Sequence, residues 1–557
     1  NTSSILGYGS DKVDITNTGS INDILGQNKA VGIYAENKNS VINRNDVQTV
    51  NTGILNFANS VNSVGAYIKG GTFTNNNGQI KVGSSNTGIY ADNSEINFNS
   101  GTIELSGQNA VGFYLDGSSN FNGTAGTINI TGQNAVIFNI KGNGSSFTNN
   151  LTINSAAGAS YVVANVDTGL YQTNAGNYTL GNNGVMFSGL NSAVLLNTGT
   201  VITGTGTNNV ALYGNGLYSG GLSSPYSGES ENQGIITVGD SSAGIYTVNG
   251  ARALNAGNIN VGNTSVGMYG LNSGIITNNG IIDAGSLSQG IYAQNSGTVT
   301  NNRIIKSTDN NTTGIYAEGN MDITNSAGAE INLSGNDSIG IFSKYAASSS
   351  AALTNSGSIY IGDSTNNVNP GLGIYSENTD EKIYNTSTGK ITVGVSSLGI
   401  YKSGSAAGLG SVEQDGEIIV GDRGIGIYSD GDTVNILVNS KIKLLGGNET
   451  TGVYGINGAK IINGSSDMSI VSGNYGFILN SGASFENNAV MTLGSSEVLV
   501  YSDGGSTITN NGRINMTGSE NIVIYSVNGE AVMNSGIIDA SAGIGNIAVY
   551  NKGGTID

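Results

Sequence analysis

The stretch SQGIYAQNSG, residues 288–297, decides the reading of this chain, because versions of it return along its length. NTGIYADNSE ends at Glu95, TTGIYAEGN at Asn320, AVGIYAENK at Lys38 and GLGIYSEN at Asn378. Taking the aromatic of each Gly-apolar-aromatic unit as an anchor gives Tyr34, Tyr67, Tyr90, Tyr114 and Phe138, then Val163 and Phe187 more faintly, then Tyr213 and Tyr246. The series runs on through Tyr269, Tyr292, Tyr316, Phe342, Tyr375, Tyr401, Tyr428, Tyr454, Phe477, Tyr501, Tyr525 and Tyr550. Most intervals are 23 to 27 residues and three are 33. A period of this size marks a solenoid or repeat array.

The side-chain pattern selects the type of solenoid. In NAVGFY, TSVGMY, DSIGIF and SSLGIY the residues on either side of Gly are both apolar: Val111 with Phe113, Val266 with Met268, Ile339 with Ile341, Leu398 with Ile400. Residues two apart on a strand share a face, so these pairs are expected inside, with Gly and Tyr outside. A second strand is expected after the turn signal N-x-G in NTGSI 17–21, NNGQI 76–80, NAGNI 255–259, NSGSI 355–359 and NNGRI 510–514. There Ser20, Gln79, Asn258, Ser358 and Arg513 vary on the outside, and the Ile that follows each points in.

Strands of about four residues broken by Gly, Asn and Ser, without a helical period, exclude helical repeats. Propeller blades need about 40 residues and their own signatures. The pattern therefore predicts an all-β chain, a right-handed parallel β-helix of about 20 or more coils with a few loop insertions. Stacked at about 4.8 Å per coil, it would make a single monomeric rod roughly 100 Å long. Inward Ile should stack into a dry column. Gly and Asn should take the positive-φ corners, Asn side chains should form amide ladders between coils, and Tyr should stack on Tyr with its hydroxyl in water.

Composition narrows function. The chain has 557 residues, 88 of them Gly, with no Cys, His or Trp, and a net charge of −18 on only 10% charged residues. An acidic chain without Lys/Arg clusters is unsuited to nucleic acid, and no stretch has the length and apolarity of a membrane span. The absence of Cys suits a chain exported through an oxidising compartment. Beginning inside one repeat and stopping soon after another, the sequence reads as a piece of a longer protein.

Without His or Cys there is no imidazole base, thiol nucleophile or usual zinc site. Paired carboxylates could hydrolyse glycosides, and the acids weighed for this are Asp422, Asp430, Asp432, Asp283 and Asp539. Asp283 and Asp539 recur at equivalent places, as repetition produces. Asp430 and Asp432 in SDGD suit at most weak calcium binding, and the calcium-binding nonapeptide is absent. The expectation is a non-enzyme with no cofactor and no metal.

Recognition in solenoids sits on insertions. The overlong coils span 35–66, 214–245 and 343–374, and the repeat blurs over 140–190. The second insertion offers Leu217, Tyr218, Leu222, Pro225 and Tyr226 beside Glu229 and Glu231, a set suited to sugar stacking or a protein hot spot. Tyr345 and Tyr360 are weaker candidates in the third.

The coil pattern GIYA-N-SG-I-TNNG-I resembles the passenger regions of the giant type V autotransporters of fusobacteria, the group that includes arginine-inhibitable and galactose-inhibitable outer-membrane adhesins. The resemblance covers nearly the whole chain and is weakest at 140–190. It implies a right-handed β-helix held at the cell surface by a C-terminal β-barrel. It also implies attachment to other bacteria and to host cells through surface glycans, galactose-type among them, or immune receptors. A polysaccharide-cleaving β-helix enzyme and a purely structural stalk are the rival readings.

Overall fold

The computed structural model describes residues 3–9, 12–23, 25, 28–39, 41–141, 144–172, 177–198, 201–204, 206–219, 228–272, 274–295, 297–344, 352–365, 370–404, 410–447 and 449–557. Contacts divide the chain into two units, Asn1–Gly262 and Asn263–Asp557. Each is a parallel β-solenoid built from three-strand coils.

In the second unit one coil runs Gln289–Gln294, Gly297–Asn301 and Ile304–Ser307. The next runs Thr313–Glu318, Met321–Asn325 and Glu330–Leu333. Each strand pairs in parallel with its counterpart, so that Tyr292 lies beside Tyr316, Asn301 beside Asn325 and Ile305 beside Ile331. The three sides are called here the first, second and third faces. In the first unit the second and third faces are continuous strands at Thr72–Val82 and Glu95–Leu105. They separate afterwards, as in Asn120–Gly123 and Thr127–Ile130. Within 140–190 the described residues continue the coils, with Tyr161–Val166 and Gly184–Gly189 on the first face.

The second and third faces alternate as the sequence implies. Ile282, Ile305, Ile331, Ile359, Ile391, Ile418 and Ile442 form a third-face column in which none exceeds 1% exposure. Each such side chain contributes about 2 kcal/mol of burial, available only because the neighbouring coil covers it.

The first face differs from the expected alternation. The residue before the glycine, such as Val111, Val266, Ile339 or Leu398, is only half-buried and faces outward. The glycine itself faces inward and is followed by a second inward residue. A Cβ on Gly290 would sit 2.5 Å from Ile305 Cγ2 and 2.6 Å from the Gly314 carbonyl oxygen. Glycine is needed here because the third-face Ile fills the space a side chain would take.

This also shifts four anchors by a residue or more. Phe138 pairs with inward Phe113, and Asn139 takes the place beside Tyr114. The outward place then passes to Asn165 and Ser188, not Val163 and Phe187, and in the second unit to Ile478, not Phe477. Phe138, Phe187 and Phe477 are core residues.

Asn and Gly take the left-handed corners that leave the first face as expected, as at Asn272, Asn295, Gly319 and Gly431, but the opposite corner differs. Entry to the first face uses a left-handed residue that is often neither Gly nor Asn, as at Thr264, Leu287, Asp337, Arg423 and Glu449. Hydrogen bonds between coils hold it there: Leu287 N–H donates to the Asn310 carbonyl at 3.3 Å. After Thr264, Leu287, Asp337 and Glu449 the next residue is a buried Ser or Thr that fixes the corner, with Ser265 N–H donating to Ser288 Oγ at 2.9 Å.

Candidate functional site

The excursion after Asn215 leaves from the first-face strand Val210–Asn215, whose Tyr213 packs edge-on against Tyr246 at 5.5 Å. Gly216 turns the chain with φ 88°. Leu217 follows, 54% exposed, and Tyr218 is half-buried. The chain returns at Glu229 and enters the second-face strand Ser230–Asn232, which pairs with Leu195–Asn197 on one side and Ala253–Asn255 on the other.

The two acids of this segment are not arranged as expected. Glu229 and Glu231 are buried parts of the coil, not rim residues beside exposed aromatics. Glu229 accepts from Arg252 through its backbone N–H (2.8 Å), Nε (3.0 Å) and Nη2 (2.8 Å), and from the Tyr218 N–H (3.2 Å). Burial alone would raise the Glu229 pKa, but the Arg252 guanidinium and the two backbone donors outweigh it and hold the carboxyl below its ordinary value. The same contact raises the Arg252 pKa. Glu231 accepts from Gln233 Nε2 at 2.6 Å. The register beside a following Arg makes Glu229 a clamp at the base of the excursion. That register could be read from the sequence only after aligning Glu229 with Arg252 of the next coil. Leu222, Pro225, Tyr226 and Tyr345 lie outside the described residues.

The first insertion folds down instead of standing clear. Its Arg44 donates from Nε to the Asn93 carbonyl at 3.1 Å and from Nη2 to the Ser118 carbonyl at 2.5 Å, at corners of two later coils. In the third insertion Tyr360 is 43% exposed on the third face, between Asn332 and Thr392 of the adjoining coils.

A groove of about 470 Å³ lies on the first face of the second unit, where Pro370, Ile339, Leu372 and Leu398 meet Tyr375 and Tyr401. Sequence reasoning missed it because it assigned Ile339 and Leu398 to the core. The signal was present as an apolar residue before each glycine.

The tyrosine column is real where tyrosine continues. Tyr34, Tyr67, Tyr90 and Tyr114 stack at 5.2, 5.0 and 4.7 Å. Their hydroxyls are not simply hydrated: Tyr34 donates to Glu36 and Tyr90 to Asp116, each at 2.8 Å. Burial and then the Glu36 bond push the Tyr34 pKa up to about 12.

The acids considered for catalysis are committed to separate partners. Asp283 meets Lys306 at 2.9 Å and Asp539 meets Arg513 at 2.6 Å. Asp422 lies 3.9 Å from Arg423. Asp430 accepts from Asn457 at 2.8 Å, whereas Asp432 is buried against Lys402 at 2.9 Å. Asp430 and Asp432 therefore do not share one ligand position. Among the described residues no three acidic side chains are grouped to hold a metal ion.

No protein-family model matches the chain, and comparison with curated proteins and with solved structures gives no match. Among the described residues no helix is long and apolar enough to cross a membrane.

Proposed function

We propose that this chain is a non-catalytic passenger of a bacterial surface adhesin of the fusobacterial type V autotransporter kind, displayed outside the outer membrane. The solenoid supplies the scaffold and the excursion after Asn215 makes contact with host-cell glycans or receptors or with other bacteria. The observation that carries this reading is the Tyr218–Glu229–Arg252 clamp: it fixes the base of an excursion whose Leu217 remains exposed. A rigid base beneath an exposed apolar residue lowers the ordering cost of binding. The net charge of −18 favours neutral sugars or basic protein patches as partners and keeps copies apart.

The test exchanges residues 216–228 for Asn249-Gly250-Ala251, the corresponding corner of the following coil, keeping Glu229 in register with Arg252. Attachment to host or bacterial cells should fall while the circular dichroism spectrum is unchanged. Undiminished attachment would remove the excursion from recognition and favour a structural stalk. Release of new reducing ends from surface glycans at catalytic turnover would instead favour a polysaccharide-cleaving enzyme.

A further inference from the structure

Lys402 is a lysine inside the solenoid. It follows Tyr401 at the inward position held by Ala293 and Ala317 in earlier coils, and it pairs with Ser376 on one side and Ser429 on the other. Its side chain is 0% exposed, and its Nζ lies 2.9 Å from Oδ2 of Asp432, also 0% exposed. Two glycines make room for the pair. A Cβ on Gly410 would lie 2.7 Å from both Lys402 Nζ and Asp432 Oδ2, and one on Gly404 would lie 2.8 Å from the Asp432 carboxylate. Neither Asp432 oxygen accepts a hydrogen bond, so Nζ approaches the carboxylate without the alignment of one.

A second carboxyl belongs to the same corner. Lys382, Ser411 and Thr433 are successive partners on the second face. Glu381, Gly410 and Asp432 precede them, so Glu381 stands one coil before the Lys402 coil and Asp432 one coil after. Glu381 is fully buried. An isolated buried ion pair gains little over apolar packing. An amine and a carboxyl held in contact in a dry site, with another carboxyl one coil away, have what direct amide formation requires.

We propose that Lys402 and Asp432 condense into an isopeptide bond, with Glu381 relaying the proton. One proton passes from the Lys402 ammonium to the Asp432 carboxylate, giving amine and acid. The Nζ lone pair adds to Asp432 Cγ and the C–N bond forms. Glu381 takes the surplus Nζ proton and returns it to the departing hydroxyl. The Cγ–O bond breaks and one water leaves. Nothing is oxidised or reduced and no co-reactant is consumed; enforced proximity replaces chemical activation. The product ties two adjacent coils covalently at a place where a cysteine-free chain has no disulfide to use.

The test is the intact mass of the purified, folded full chain. It should be lower than the sequence mass by one water, and tryptic digestion should yield one branched peptide joining the Lys402 and Asp432 segments. Lys402→Met and Asp432→Ala should each restore the full sequence mass. Glu381→Gln should slow the loss of water in freshly made protein while leaving the circular dichroism spectrum in place. A folded wild-type chain with its full sequence mass overturns the proposal, and requires no variant to fold. A one-water deficit that persists in Lys402→Met also overturns it, and unchanged kinetics in Glu381→Gln overturn the relay.

Discussion

The side-chain amide of Asn278 donates to the side-chain carbonyl of Asn301 at 2.8 Å, one coil further on, with both residues buried. Asn301 repeats the contact to Asn325 at 2.9 Å, Asn325 to Asn355 at 2.8 Å and Asn355 to Asn385 at 2.9 Å. Each amide uses its donor and its acceptor along the same line. The ladder satisfies polar groups at a corner that water does not reach, and it marks the register between coils.

Asn301→Ala removes the contacts to Asn278 and Asn325 together, and those to the Arg303 and Glu330 carbonyls. The partner groups stay buried, so the second unit should lose about 2 to 3 kcal/mol. Asn302→Ala, at an exposed position, should change stability by less than about 0.5 kcal/mol. Urea unfolding of the two variants measures the difference.

At the first-face glycine, Gly290→Ala drives a methyl group against Ile305 Cγ2 and the Gly314 carbonyl. A loss of about 1 to 3 kcal/mol is expected from overpacking. Gly447→Ala, with nothing within 4 Å of the added carbon, should be close to neutral in the same unfolding assay.

These two positions also show how far the sequence could be read. The Asn of N-x-G, as at Asn278 and Asn355, and the Ile after it were legible because a period of about 24 residues repeats both, and Asn301 in NNRI joins them through the coil register. The inward Gly was not. Strand alternation assigns I-G-I in Ile339–Ile341 to in-out-in, whereas Gly340 lies against the third-face Ile359 and is buried together with Ile341. The same displacement concealed the Pro370 groove. The Glu229–Arg252 clamp was hidden for another reason: its partners lie 23 residues apart, and only the coil register joins them.

Stability should fall in acid through Glu229. Its folded pKa is below its ordinary 4.5, so the unfolded chain takes up a proton first as pH drops. The contribution is complete above pH 4.5 and disappears as pH falls through the folded value. Urea midpoints of the first unit should decline below pH 4.5, and Glu229→Gln should be less stable at neutral pH with a shallower acid decline.

Alkali should act through the tyrosine column. Burial, followed by neighbouring tyrosines and carboxylates, pushes the Tyr292 and Tyr428 pKa values up to about 12. The folded state therefore keeps protons that the unfolded state releases near pH 10, and stability is lost as pH rises from 10 to about 12. Phenolate absorbance followed alongside circular dichroism should show these phenols ionising late and together with unfolding.

Engineered cysteine pairs test the in-register stacking most directly, against a background without native thiols. Thr300 and Thr324 are half-exposed partners on the second face, at a spacing that suits a disulfide. Thr300→Cys with Thr324→Cys should form an intramolecular disulfide under mild oxidation, and Thr300→Cys with Asp322→Cys, displaced by two residues, should stay reduced. Efficient bridging of the displaced pair, or no bridging of the matched one, would contradict a parallel solenoid in this register.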